Sequence, residues 1–107
     1  MAVDRTSLKK PVRPKKTIEA PGLGGEVILQ AMGLRDRLRI SSIEDKWARL
    51  AEMLHVVVVD PKGKPLMSIE EWEDYGATED GMAECLMLTN EAHALTNGEA
   101  KKDSTPS

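Results

Sequence analysis

The segment "VVVVDPKGKPLMSIEEW", residues 56–72, decides the order of secondary structure in the middle of the chain. Pro61 disfavours helical geometry at Asp60 and has no amide hydrogen, so the helix or strand that contains the four valines must end before it. The order Asp, Pro, any residue, Gly in "DPKG" predicts a type I turn. Ser68 and Glu71 stand at the spacing of a capping box, which predicts that a short helix begins there.

A helix upstream of this segment is predicted from apolar spacing and from a candidate cap. Ser42 fits the N-cap position, and Asp45 stands in the capping-box slot. Apolar residues recur at spacings of three and four, and we expect this stripe in the core: Ile43, Trp47, Leu50, Leu54, and Val57 or Val58. The four consecutive β-branched valines leave its end open, because the helix either runs to about Val58 or unwinds near His55 into a strand.

The flanking sequence completes a fold prediction. Residues 17–30 indicate strand, turn and strand, and "GLRDRLRIS" indicates one or two helical turns. Thr78 is a candidate cap for a last helix that ends at Gly98. One side of that helix is marked by Met82, Cys85, Leu86, Thr89, Ala92, His93 and Leu95 or Thr96. We therefore predict an α+β fold, mainly α, with three or four helices and a small antiparallel β-hairpin near the N-terminus.

Length and charge predict one small domain between two disordered ends. Of the 107 residues, 1–16 form a basic arm of net charge +5, which leaves −8 for the rest of a chain whose total is −3. We expect this arm to be mobile, 17–97 to be globular, and 98–107 to be a disordered tail. The arm could contact nucleic acid, an acidic partner or its own acidic body, or remain a solvated tail. A core without Phe is thin, so we expect self-association.

Residues with catalytic chemistry are few, and their spacing predicts no catalytic, cofactor or metal site. Cys85 and His93 are eight residues apart on one predicted helix, about 12 Å, so they cannot pair there. His55 would have to join them from elsewhere to form a metal site, which such scattered ligands do not favour. The "GLGG" stretch lacks the Lys-Ser/Thr of a phosphate-binding loop. Without a signal peptide or an apolar run of membrane length, we expect a cytoplasmic protein that does not enter a membrane.

Three segments resemble the tail assembly chaperone family of long-tailed bacteriophages, the lambda G protein-like group. The first, "DPKGKPLMSIEEWEDYG", matches the family pattern at Asp60, Gly63, Lys64, Pro65, Leu66, Met67, Ser68, Glu70, Glu71, Trp72 and Gly76. The others are "EVILQAMGLRDRLRI", similar to the family's strand and Arg-rich helix start, and "NEAHALTNG", similar to its final helix. The resemblance covers residues 25–98, with the blocks in the family's order.

This resemblance implies a non-enzymatic protein of a phage or prophage. Several copies would bind the long, helical tape measure protein in the host cytoplasm and keep it soluble until tail tube subunits replace them during tail assembly. The expected partners are the tape measure protein, the tail tube protein and other copies of the chain. The alternative is a small nucleic-acid-binding or regulatory protein that uses the basic arm, although that arm has no aromatic residue to stack on bases. The sequence does not indicate which surface binds the partner.

Overall fold

The computed structural model describes residues 2–8 and 13–97, apart from the side chain of Asn97. Within this part the α+β, mainly α fold is confirmed, with four helices and a three-stranded sheet. The elements are β1 Lys15–Ala20, β2 Gly25–Gln30, α1 Leu34–Ser41, α2 Lys46–Val57, β3 Val58–Val59, α3 Ile69–Tyr75 and α4 Glu79–Asn97. The predicted tail 98–107, with Gly98, lies outside the described residues, as does the stretch 9–12 of the arm.

The predicted hairpin is confirmed, and it forms two strands of an antiparallel sheet in the order β1-β2-β3. A single 3-10 turn, Pro21–Leu23, joins β1 to β2, and Gly24 after it has a φ of 101° that favours glycine. The first strand starts two residues before the predicted domain start at 17. The Pro14 carbonyl also accepts a hydrogen bond from the Ala31 amide at 3.0 Å, so the chain joins the domain there.

The four valines combine both alternatives that the sequence left open. Helix α2 runs to Val57, and Val58 and Val59 then pair with Leu29 and Ile28 of β2. Pairing with β2, which is far away in sequence, therefore determines that the helix ends at Val57. The β-branched side chains alone do not determine this end. The predicted turn follows, closed by a hydrogen bond of 2.9 Å from the Gly63 amide to the Asp60 carbonyl.

The predicted cap of α3 is confirmed. The Ser68 hydroxyl accepts from the Glu71 amide at 3.1 Å, and the Glu71 carboxylate accepts from the Ser68 amide at 2.8 Å. Thr78 caps α4 as predicted, because its hydroxyl accepts from the Gly81 amide at 3.0 Å. These hydrogen bonds, each between residues three apart in sequence, fix the positions at which both helices begin.

The predicted cap of α2 is wrong. Asp45, not Ser42, caps this helix, and its carboxylate accepts from the amides of Trp47 and Ala48 at 2.8 and 3.2 Å. Ser42 instead ends α1, where its hydroxyl donates to the Arg39 carbonyl at 2.7 Å. Both residues suit a helix end chemically, and the length of α1 decides which end Ser42 occupies.

The core lies between one face of the sheet and helices α2, α3 and α4. Its largest fully buried side chains include Leu29 on β2, Leu54 on α2, Trp72 on α3 and Leu88 on α4. The predicted stripe of α2 is confirmed at Leu54, Val57 and Val58, which are buried, and Ile43 and Leu50 are half-buried against the core.

Trp47 and part of the α4 stripe are corrections to the predicted core. Trp47 is 56% exposed, since it lies in the first turn of α2, upstream of Ala51, the first buried residue of that helix. On α4, Cys85, Thr89, Ala92 and Leu95 are buried as expected, whereas Leu86 and His93 are exposed. The buried side of α4 includes Leu88, which the predicted stripe lacks.

Candidate functional site

The structure places His55, Cys85 and His93 in different surroundings. His55 Nδ1 lies 2.9 Å from the Met67 carbonyl, Cys85 is buried, and His93 is exposed. In the part of the chain that the structure describes, no three His, Cys, Asp or Glu residues are placed to hold a metal ion. Burial, with the nearby Glu84 carboxylate, raises the pKa of the Cys85 thiol to about 11. This thiol therefore stays protonated near neutral pH and is a weak nucleophile.

A small apolar cleft lies between α2, α3 and α4. It has a volume of about 200 Å³ and is lined by both tryptophans, Trp47 and Trp72, together with Leu50, Met82 and Cys85. We call it the tryptophan groove. The Trp72 indole Nε1 is buried and has no hydrogen-bond partner among the described residues.

A larger cleft of about 580 Å³ lies beside it, between α1, α2 and α4. We call it the basic groove. Its apolar lining is Met32, Ile40, Leu50, Met53 and Leu86. Because Leu50 lines both clefts, the two grooves adjoin along α2.

Three cations distinguish the basic groove from the rest of this acidic chain. Arg37, Lys46 and Arg49 line it, and its lining includes no Asp or Glu from the described part of the chain, although the whole chain has 18 acidic and 15 basic residues. Among the described residues these three side chains form no salt bridge. Arg39, in contrast, lies 2.8 Å from Glu52 and 3.5 Å from Asp36. Within residues 2–8 and 13–97, no salt bridge therefore neutralises the positive charge of the groove.

Exposed apolar side chains border this region. Trp47 and Leu86 are 56% and 43% exposed, and the Lys46 ammonium lies 5.3 Å from the centre of the Trp47 ring. Lys46 and Trp47 form a cation–π contact at the surface. Scattered exposed apolar residues are normal in soluble proteins. Here, however, Trp47 also lines the tryptophan groove, and Leu86 also lines the basic groove.

Helix α3 is held in place by contacts that also shape the tryptophan groove. The rings of Trp72 and Tyr75 pack edge to face with their centres 6.1 Å apart. The Tyr75 hydroxyl donates to Glu84 at 2.5 Å, and the other Glu84 oxygen accepts from the Gly22 amide at 3.2 Å. Burial and the bond to Glu84 raise the pKa of Tyr75 to about 12. Glu84 thus joins α3, α4 and the hairpin turn.

The structure separates the basic residues of the predicted arm. Lys16 forms a salt bridge of 3.0 Å with Glu91, and the Arg13 guanidinium lies against Gly33. Arg5 and Lys15 are exposed. Lys16 and Arg13 are therefore in contact with the folded domain.

The groove residues were not recognised in the sequence, although α4 carried a signal. Leu86, Thr89, Asn90 and His93 have spacings of three and four, and so do Cys85, Leu88, Ala92 and Leu95. Two such stripes side by side indicate a helix with two packed faces. One stripe packs in the core, and the other lines the basic groove.

None of the helices in the described ranges is long and apolar enough to cross a membrane. Comparisons with family models, with curated proteins and with solved structures found no match to this chain.

Proposed function

We propose that this protein is a tail assembly chaperone of a phage or prophage, which binds the tape measure protein in the host cytoplasm and keeps it soluble during tail assembly. The observation that carries the proposal is the pair of adjoining apolar grooves on a domain whose motifs resemble this family. An amphipathic helix exposes an apolar stripe that aggregates unless another surface covers it, and a groove between helices is a common way to cover one.

The lining of the grooves suits a chaperone that accepts many similar helices. Met32, Met53 and Met82 lie around them, and unbranched thioether side chains adapt to irregular partners. A long tape measure protein presents many non-identical helical stretches, so adaptable contacts are more useful than a single rigid fit. Binding of moderate strength would also let tail tube subunits displace the chaperone. Under this proposal the protein has no enzymatic activity.

Co-expression with a tape measure fragment tests the proposal. We expect the soluble fraction of the fragment to rise severalfold with the wild-type chain and the complex to co-elute in size-exclusion chromatography. The control is an unrelated acidic protein of similar size at the same expression level. A fragment that stays insoluble with the wild-type chain, or that becomes equally soluble with the control, contradicts the proposal.

The competing proposal is nucleic-acid binding through the basic arm. It predicts a gel shift of DNA or RNA that weakens steeply with salt and disappears when the arm is deleted. The deletion should stop before Arg13, because Arg13 contacts Gly33 and the Pro14 carbonyl binds Ala31. A salt-sensitive shift lost in the protein without residues 1–12 favours this alternative, and no shift at low salt eliminates it.

A further inference from the structure

We infer that the basic groove binds an acidic amphipathic helix of a partner protein, with the apolar stripe of that helix on Leu50, Met53 and Leu86 and its carboxylates beside Arg37, Lys46 and Arg49. This inference rests on the proposed function, because it assigns the surface and the chemistry of the bound helix. We call that helix the guest helix.

The positive charge of the groove predicts that its partner is negatively charged. Arg37, Lys46 and Arg49 lie on two different helices, and no carboxylate of the described residues lines the groove to neutralise them. A guest helix with Glu or Asp beside its apolar stripe would form several ion pairs at once, whereas one with Lys or Arg would be repelled. Single exposed ion pairs stabilise little, but several pairs along one groove select the sign of the partner.

The shape of the groove fits a helix. Its lining on α2 is Lys46, Arg49, Leu50 and Met53, and its lining on α4 includes Leu86, Thr89, Asn90 and His93. Each of these sets runs over eight residues, at spacings of three and four. The seven steps between the first and the last residue cover about 10 Å along a helix, so the groove accommodates about two turns of a guest helix. Guest side chains at spacings of three, four and seven would then meet the apolar lining.

The chain's own acidic helix does not supply this guest. Helix α3, with the sequence "IEEWEDY", carries four acidic residues. Its large apolar residue Trp72 is 2% exposed, within the core of its own domain. A second copy would therefore present carboxylates to the groove without an apolar stripe to cover its lining.

Synthetic peptides test the inference on the full chain. The first probe is a helix of about 20 residues with Leu at spacings of three and four and Glu on the flanking positions. The second has Lys in place of each Glu, and the third has the composition of the first in scrambled order. None contains Trp, so the fluorescence of the protein's two tryptophans reports binding, and we expect the change to come from the exposed Trp47 in the adjoining groove. Calorimetry is the second measurement.

We expect the Glu peptide to bind at least about tenfold more tightly than the Lys peptide at about 50 mM salt, with a smaller ratio at about 300 mM. The scrambled peptide should bind more weakly than the ordered one. Equal binding of the Glu and Lys peptides, or of the ordered and scrambled peptides, overturns the inference.

A charge-reversed protein locates the site. Arg37→Glu with Arg49→Glu should lose the preference for the Glu peptide or invert it. The matched control, Arg5→Glu with Arg35→Glu, changes the net charge equally at two exposed arginines outside the groove and should keep the preference. If both double variants lose it to the same extent, net charge is responsible and the inference is wrong.

Folding is checked independently, because Arg49 also donates to the Ile43 carbonyl at 3.3 Å. Circular dichroism and thermal unfolding should match the wild type for both double variants. Arg37→Gln with Arg49→Gln removes charge without adding any, and its preference should lie between those of the wild type and the reversed variant. If this milder variant folds and keeps the full preference, the groove is not the site.

Other occupants give distinct results. If the wild type binds no peptide and forms a dimer that Arg37→Glu with Arg49→Glu dissociates, the groove is an interface between copies and the inference is overturned. Binding of an unstructured DNA oligonucleotide at low salt, lost in the same variant and without peptide binding, also overturns it, in favour of nucleic acid.

The inference and the proposed function can fail separately. If the reversed variant still solubilises the tape measure fragment, the chaperone function stands and another surface carries it. If the Glu peptide binds in the groove but the wild type does not solubilise the fragment, the groove assignment stands and the chaperone function is wrong.

Discussion

Two capped helices begin with a tryptophan near their first turn, and the two rings end in different surroundings. Trp47 follows the Asp45 cap of α2 and is 56% exposed, whereas Trp72 follows the Ser68 cap of α3 and is 2% exposed. Both line the tryptophan groove. Trp72 is the fourth residue of α3 and packs in the core, whereas Trp47 is the second residue of α2 and remains at the surface, so similar local sequences give one core residue and one surface residue.

The largest difference is expected when each ring is removed. Trp72→Ala should lower the free energy of unfolding by about 3–5 kcal/mol, because it empties a packed core position. Trp47→Ala should change it by less than about 1 kcal/mol. Urea unfolding followed by circular dichroism measures both. Equal losses would show that the two rings do not differ in burial in solution.

A milder pair of variants keeps this comparison measurable if Trp72→Ala does not fold. Trp72→Phe retains most of the apolar ring and removes the indole N–H, which has no partner among the described residues. Its cost should therefore be only about 1–2 kcal/mol. Trp47→Phe should again be nearly neutral, and a cost as large as that of Trp72→Phe contradicts the comparison.

Alkaline pH should act on the region around Trp72 through Tyr75 and Cys85. The folded-state pKa values are about 12 and about 11, above the ordinary values of 10.0 and 9.0. The folded state thus favours the protonated form of both groups. Their contribution to the free energy of unfolding is complete below pH 9 and is lost as the pH rises from 9 to about 12. The urea midpoint should fall over that range.

The chain's single Tyr allows a direct check of this pH effect. Tyrosinate absorbance should titrate near pH 12 in the folded protein and near pH 10 in urea. Glu84→Gln keeps a hydrogen-bond acceptor while removing the charge, so it should move the folded titration to lower pH. An identical titration in the folded and unfolded protein contradicts a half-buried Tyr75 that is hydrogen-bonded to Glu84.

Cap substitutions compare the helix starts themselves. Ser68→Ala and Asp45→Ala should each lower the free energy of unfolding by about 1 kcal/mol, because both leave helix amides without their acceptor. Ser42→Ala should cost less than about 0.5 kcal/mol, since its hydroxyl caps no helix N-terminus. Thermal unfolding measures all three. A larger loss for Ser42→Ala than for Asp45→Ala would place the start of α2 earlier than the structure does.

The smallest effect concerns the cation–π contact at the exposed ring. Lys46→Gln should lower the free energy of unfolding by less than about 0.5 kcal/mol, as expected for an exposed contact, while changing the emission of Trp47. Lys62→Gln, in the exposed turn before α3, is the matched control and should change neither. A stability loss above about 1 kcal/mol for Lys46→Gln would show that the ring is packed more tightly than its exposure indicates.

A feature could be predicted from the sequence when the residues that form it lie close together along the chain. The Ser68 capping box, the Asp60 turn and the β1–β2 hairpin form between residues close in sequence, and all three were predicted. The switch from helix to strand between Val57 and Val58 depends on pairing with β2, about 30 residues upstream, so local propensity left it open.

The grooves were beyond prediction for the same reason. The basic groove needs α1, α2 and α4 to lie side by side, and no local pattern places Arg37 near Leu86. The exposure of Trp47 likewise depends on which elements pack beside the first turn of α2. The spacing on α4 indicated two apolar stripes, but it did not indicate which stripe packs in the core and which lines a groove.

Helix α2 passes into β3 with no residue between Val57 and Val58. The last helical residue is therefore followed directly by a residue that pairs in the sheet, and the sheet anchors the end of the helix that carries Leu50 and Met53. Helix α1, the other wall of the basic groove, buries Ile40 alone and reaches α2 through the short connection 42–45, whereas α2 buries Ala51, Met53, Leu54 and Val57. Less packing therefore holds α1 than α2. Hydrogen exchange should accordingly be faster in α1 than in the C-terminal half of α2.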